Sequence, residues 1–92
     1  MTSTLYYVEV QRHYLLYHTT SGDYTVRGAL KEIEPVLTPY NFAKCNNCYL
    51  VNLSLVKAIE KDAVKVGPHS LFMSRRKKTE FLEEFTRYMG GF

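Results

Sequence analysis

A chain of 92 residues has room for one modest hydrophobic core and no second domain. Its 46% hydrophobic and 23% charged residues exclude a disordered tail, and eight Tyr and five Phe without Trp suit a β-rich fold with aromatics packed across strands. A formal charge of +3 is a mild basic bias that fits nucleic acid, a membrane surface or neither. No apolar run approaches the roughly 18 residues that a bilayer crossing needs. Met1-Thr2-Ser3-Thr4 leads into no secretory signal, and the strand pattern opens so early that the chain reads as a segment of something longer. Two Cys are too few for a disulfide scaffold, which points to the cytoplasm.

Leu5 to Val10 alternates, with Tyr6, Val8 and Val10 on one face, and predicts a strand. Gln11, Arg12 and His13 interrupt it before Tyr14 to Thr19 resumes as a second strand. Thr20-Ser21-Gly22-Asp23 is a turn, and Tyr24 to Arg27 a third strand. Gly28 to Leu37 changes period: Leu30, Ile33 and Leu37 make a short amphipathic helix, which Pro35 keeps irregular and Pro39 ends. Phe42 to Lys44 enters another strand, ahead of the polar stretch Cys45-Asn46-Asn47-Cys48. Tyr49 to Asn52, Val56 to Glu60, Ala63 to Val66 and Ser70 to Met73 follow as short strands, with turns at Lys61-Asp62 and Gly67-Pro68-His69. Such close spacing implies antiparallel sheets. Ser74 to Met89 is a helix with Ser74 as N-cap, Gly90-Gly91 as its stop, and a stripe of Phe81, Leu82, Phe85, Tyr88 and Met89. The expected fold is mainly β, an elongated stack of small antiparallel sheets with one short internal helix and a C-terminal helix, forming one domain over residues 1–92.

The run Arg75-Arg76-Lys77-Lys78 holds four of the chain's twelve Lys and Arg. It sits at a helix N-terminus, where partial positive charge makes each exposed cation cost about 0.3–1 kcal/mol. Folding alone would favour Asp or Glu there, whereas a phosphate would turn the penalty into binding. The plain alternative is a solvated basic face relieved by Glu80, Glu83 and Glu84. Cys45-x-x-Cys48 offers one ligand pair where structural zinc needs four, and a strand rather than a helix follows it, so packing outweighs metal or redox chemistry. His13 stands in a polar tip. Asn52 closes a strand and is read as holding a turn through its side chain. His18 and His69 carry no functional reading. There is no phosphate loop, His-Glu-x-x-His motif or Gly-x-Ser-x-Gly elbow, so no enzyme is expected, and no cofactor.

The stretch Phe42-Ala43-Lys44-Cys45-Asn46-Asn47-Cys48-Tyr49-Leu50-Val51-Asn52 resembles the central signature of the LytTR DNA-binding domain, roughly Phe-x-Arg-x-His-Arg-Ser-Tyr-Leu-Val-Asn. Phe72-Met73-Ser74-Arg75-Arg76-Lys77-Lys78 is similar to that family's Val-Ser-Arg-Arg-x-x-Lys segment. Tyr7-Val8-Glu9 and Gly28-Ala29-Leu30-Lys31-Glu32 match its Tyr-Ile-Glu strand and Gly-Ser-Leu-Lys-Glu helix start. The resemblance implies the output half of a bacterial LytR/AgrA-type response regulator. Such domains insert loops into successive major grooves of promoter direct repeats about one helical turn apart. The base-touching loop residues would correspond to His13, Asn47 and Arg76. Asn46-Asn47-Cys48 replaces the usual His-Arg-Ser, and Asn suits adenine where Arg prefers guanine, so Asn46 joins the candidate base readers.

Three tips, at Arg12-His13, Asn46-Asn47 and Arg75-Arg76, are thus expected along one rim. Arg12, Lys44, Arg75, Lys77 and Lys78 are expected to hold phosphates. The expected partner is double-stranded DNA, with a receiver domain or a second copy as further partners, and no membrane or small-molecule substrate. Two other classes stay open: a protein-interaction module docking through Phe81, Leu82 and Phe85, and a regulator switched by oxidation of Cys45 and Cys48.

Overall fold

The structure, a computed structural model, describes residues 4–90. The first third is the expected meander of β1 (Leu5–Gln11), β2 (Tyr14–Thr19) and β3 (Gly22–Arg27). After α1 (Leu30–Leu37) come β4 (Phe42–Asn46) and β5 (Tyr49–Asn52), then β6 (Val56–Glu60), β7 (Ala63–Val66), β8 (His69–Phe72) and α2 (Arg75–Tyr88). Single 3₁₀ turns cover Thr38–Tyr40 and Leu53–Leu55. α1 begins at Leu30 and not at Gly28, because the Gly28 N–H still extends the meander by donating to His13 O at 2.8 Å. Glu32 Oε1 accepts from Ala29 N at 3.1 Å and closes the first turn of the helix. β4 runs on through Cys45 and Asn46, which the polar composition of that stretch concealed.

The strands form two antiparallel sheets, one of order β3-β2-β1-β5-β4 and one of order β6-β7-β8. The larger sheet is the middle layer. On one face Leu5, Val8, Leu15, Phe42 and Leu50 meet Leu30 and Leu37 of α1. On the other, Tyr7, Ala43, Cys45 and Val51 meet Val64, Val66 and Leu71 of the smaller sheet, Met73 just beyond it and Phe81 of α2. Burial is therefore divided into two clusters across one sheet, where length alone suggested a single core. Such double cover explains why β5 reads as a continuous apolar run.

β1 departs from the expected alternation of Tyr6, Val8 and Val10. Leu5 stands opposite Thr19 and Tyr7 opposite His18, so Tyr6 is the extra residue of a bulge. The bulge turns Tyr6 toward the smaller sheet, where its ring covers the Gly67 turn. Gly67 has φ 56°, and a Cβ there would collide with that ring, so both backbone and space require glycine.

α2 keeps the expected cap, with Ser74 Oγ accepting from Lys77 N at 3.3 Å. Its stripe is only partly used. Phe81 is fully buried and Leu82 and Phe85 pack on the core, while Tyr88 and Met89 stay exposed because the helix runs past the edge of the sheets. Gly90 takes a left-handed φ of 89° at the stop, and Gly91 lies outside the described residues.

Asn52 holds a turn as expected, and also more. Its Oδ1 accepts from Ser54 N at 3.1 Å and from Ser54 Oγ at 2.7 Å, while its Nδ2 donates to Leu5 O at 2.9 Å. Asn52 is 2% exposed, and its truncation strands the carbonyl of buried Leu5, whereas exposed Ser54 can turn to water. Asn52→Ala is expected to cost about 1–3 kcal/mol of folding stability, read as a lowered urea midpoint at unchanged slope.

Candidate nucleic-acid interface

The order β3-β2-β1-β5-β4, antiparallel throughout, fixes where the chain turns. The β1–β2 turn, the β4–β5 turn and the last residue of β3 must share one end of the central sheet. At that end Arg12 and His13 form a two-residue tip between the paired Gln11 and Tyr14, with Arg12 at a left-handed φ of 59°. Both are exposed. Val10 N donates to Cys48 O at 2.9 Å, which sets this tip beside the β4–β5 turn.

The third bend comes from the other sheet and is tied in by two hydrogen bonds. Asn46 Nδ2 donates to Phe72 O at 2.7 Å, and Ser74 N donates to Cys45 O at 2.9 Å. The N-terminus of α2, with Arg75 and Arg76, is thereby moored to the β4–β5 turn. All three expected tips share one end of the molecule, linked in the order Arg12-His13, Asn47, Arg75-Arg76.

The expected site residues then separate by environment. Among the described residues, Arg12, His13, Arg75 and Arg76 have no carboxylate within 4.0 Å, and the Asn47 side chain is exposed and accepts or donates no hydrogen bond to protein. Asn46, expected at a base edge, is committed elsewhere: besides donating to Phe72 O, its Oδ1 accepts from Cys48 N at 2.7 Å. It shapes the turn that presents Asn47. Lys44, expected on a phosphate, points to the α1 face of β4, with its Nζ 3.9 Å from Glu34. Lys77 lies 3.7 Å from Glu80, and Lys78 3.0 Å from Asp62 in the β6–β7 turn. These are surface pairs worth about 0–1 kcal/mol each, weak enough to exchange for phosphate. No acidic residue occupies the first turn of α2, so the helix dipole and two free guanidiniums add at one place.

Two features escaped the sequence reading. Arg27 ends β3 at the same rim, its guanidinium 5.9 Å from the Tyr14 ring. A strand count alone could have placed it, since β3 returns antiparallel to the tip. His18 is buried, with Nε2 3.0 Å from Glu9 Oε1 and its ring stacked on Tyr7 at 4.3 Å. Asp23 Oδ1 lies 3.2 Å from His18 Nδ1, an electrostatic contact too oblique for a well-formed hydrogen bond. Nothing local in the sequence marks that cluster, because its members come from three strands.

The alternative uses lose ground here. The stripe of Phe81, Leu82 and Phe85 is taken up by the chain's own core. Cys45 is buried among apolar side chains while Cys48 is exposed, and both are free thiols. Burial pushes the Cys45 thiol up to about 12, leaving roughly one part in a hundred thousand as thiolate at neutral pH.

An all-antiparallel framework thus gathers cationic and amide tips at one end, a surface suited to a polyanion. The model of the LytTr DNA-binding domain matches residues 1–86, and the chain belongs to that family, which is a DNA-binding family and not an enzyme family. A search of curated proteins found no match. Among solved structures, the chain is similar to the LytTr DNA-binding domain of a Bacillus cereus protein described as a methyl-accepting/DNA response regulator. The TM-score is 0.76 at 20% identity, covering 97% of this chain and 84% of that one. The fold expected from the sequence is thus the one observed. No helix among the described residues is long and apolar enough to cross a membrane.

The two thiols make a direct check. Iodoacetamide is expected to label Cys48 in the folded protein and to spare Cys45 until urea unfolds it. Burial also raises the Tyr7 phenol to about 12, with Glu9 adding to it. The unfolded chain releases these two protons near 9.0 and 10.0, so the stability they confer is complete below pH 9.0 and falls as pH rises toward about 12. Urea titrations across that range should show the decline, and Cys45→Ala should remove its lower part.

Proposed function

We propose that this domain is the output half of a bacterial transcription regulator that reads double-stranded DNA sequence-specifically through the loops of its rim. The observation that carries the reading is the mooring of the α2 N-terminus to the β4–β5 turn. With the bond from Val10 N to Cys48 O, it brings Arg76, Asn47 and His13 to one end of the central sheet, all three without side-chain partners among the described residues.

Each residue has a distinct task. Arg76 offers a planar fork of donors, which matches the O6 and N7 acceptors of guanine in a major groove. Asn47 can bond adenine bidentately, and His13 reaches a further base from the hairpin tip. Arg12, Arg75, Lys77 and Lys78 meet phosphates and fix register, with the lysines leaving Glu80 and Asp62 to do so; Arg27 extends that set. Lys44 needs a larger rearrangement to join it, from the α1 face. Asn46 is a positioning residue for Asn47 and for the helix N-terminus. Loops at separate points along the rim suit successive major grooves, and promoter direct repeats about one helical turn apart would seat two domains side by side. A receiver domain elsewhere in the regulator would supply the signal.

Two measurements test this. Arg76→Ala should weaken a specific duplex by about 1–3 kcal/mol more than a random one; equal weakening on both removes the base-reading role. Arg75→Ala should weaken all duplexes alike and lower the slope of log affinity against log salt by about one unit.

A further inference from the structure

We infer that the free edge of β3 is a self-association surface, where a second copy of this chain adds its own β3 antiparallel across a two-fold axis. The observation is the edge itself, unpaired among the described residues. All six residues of β3 are exposed, and its six-pair ladder to β2 runs without a bulge. The strand contains neither proline nor lysine, the usual devices that keep an edge from pairing. The other edge of this sheet, β4, is covered by α2, with Ser74 N bonded to Cys45 O.

The ladder fixes which groups are free. Gly28 N donates to His13 O, and pairing continues in step down to Thr19 opposite Gly22. Gly22, Tyr24 and Val26 therefore turn their N–H and C=O toward β2, while Asp23, Thr25 and Arg27 turn theirs to solvent. A two-fold axis at Thr25 sets Thr25 opposite its own counterpart and Asp23 opposite Arg27 of the second copy. Every outward N–H and C=O of the three residues then finds a partner. The same register pairs a carboxylate with a guanidinium twice and sets the exposed Tyr24 ring (55% exposed) against Val26 (46% exposed). A slip of one residue misaligns the free backbone groups, and a slip of two breaks the charge match. Self-complementarity in backbone, charge and apolar contact at one register argues for a second copy over an unrelated strand.

Such pairing uses both edges and stops at two chains. Because the strands run in opposite directions, the two DNA-facing rims lie at opposite ends of a ten-stranded sheet. The pair would hold two separate duplex segments, a contact distinct from any between neighbours on one direct repeat.

Sedimentation velocity without DNA, from micromolar to millimolar concentration, tests the pairing independently of DNA reading. A reversible monomer–dimer equilibrium is expected. Thr25→Pro removes an N–H that faces solvent in the monomer, so the fold should persist by circular dichroism while the dimer is lost. Asp23→Arg and Arg27→Asp should each weaken the dimer about tenfold, and the double swap should restore it. That rescue separates pairing from any effect of Asp23 on His18, and it decides the matter should Thr25→Pro fail to fold. A monomer throughout the range, species beyond the dimer, a dimer indifferent to Thr25→Pro, or a double swap that fails to restore would each overturn the inference.

Discussion

The hydrogen bond from Asn46 Nδ2 to Phe72 O, with its companion from Ser74 N to Cys45 O, is the constraint on which the molecule's working end depends. Apart from these and a weak bond from Cys45 Sγ to Phe72 O at 3.7 Å, the two sheets are joined by apolar and ring packing, which is more tolerant of sliding because it is less directional. Two directed bonds at the same spot fix where α2 begins relative to the β4–β5 turn. A base-reading side chain needs placement to a fraction of an ångström, and a polar clamp of this kind supplies what a greasy interface cannot.

The division of labour between the two Asn residues follows from it. Adjacent amides on one turn look equivalent in a sequence, yet one is satisfied internally on both of its polar atoms and the other is open. The half-buried Asn is spent on geometry so that the exposed one can be presented. The lysines behind Arg75 and Arg76 are held in a similar graded way: Lys77 and Lys78 rest on carboxylates that a polyanion can outbid, while the two guanidiniums have none to leave among the described residues.

Most of the fold was legible in the sequence because its elements obey local rules. β2, β5, β6 and β7 begin and end where alternation and turn residues put them, and the cap of α2 falls on Ser74. What local pattern could not convey was anything set by distant partners. The bulge at Tyr6 depends on the offset between β1 and β2, and the double burial of the central sheet depends on a second sheet arriving from residues 56–72. Cys45 looked like part of a polar loop because its neighbours are polar, whereas its side chain faces the core. The tips themselves were found, since charge at a helix N-terminus is anomalous on its face. The internal bonds of Asn46 were not legible, because its acceptor lies 26 residues away, a separation no periodicity reports.

The left-handed backbone of Arg12 carries one last implication. Glycine would sit at that apex without strain, whereas any side chain with a Cβ, arginine's included, costs on the order of 1 kcal/mol there. What the chain obtains in exchange is a cation whose root is already immobilised at the outermost point of a hairpin. Less disorder remains to be surrendered when it meets an anion, so part of the entropic cost of association is met at folding, before any encounter takes place.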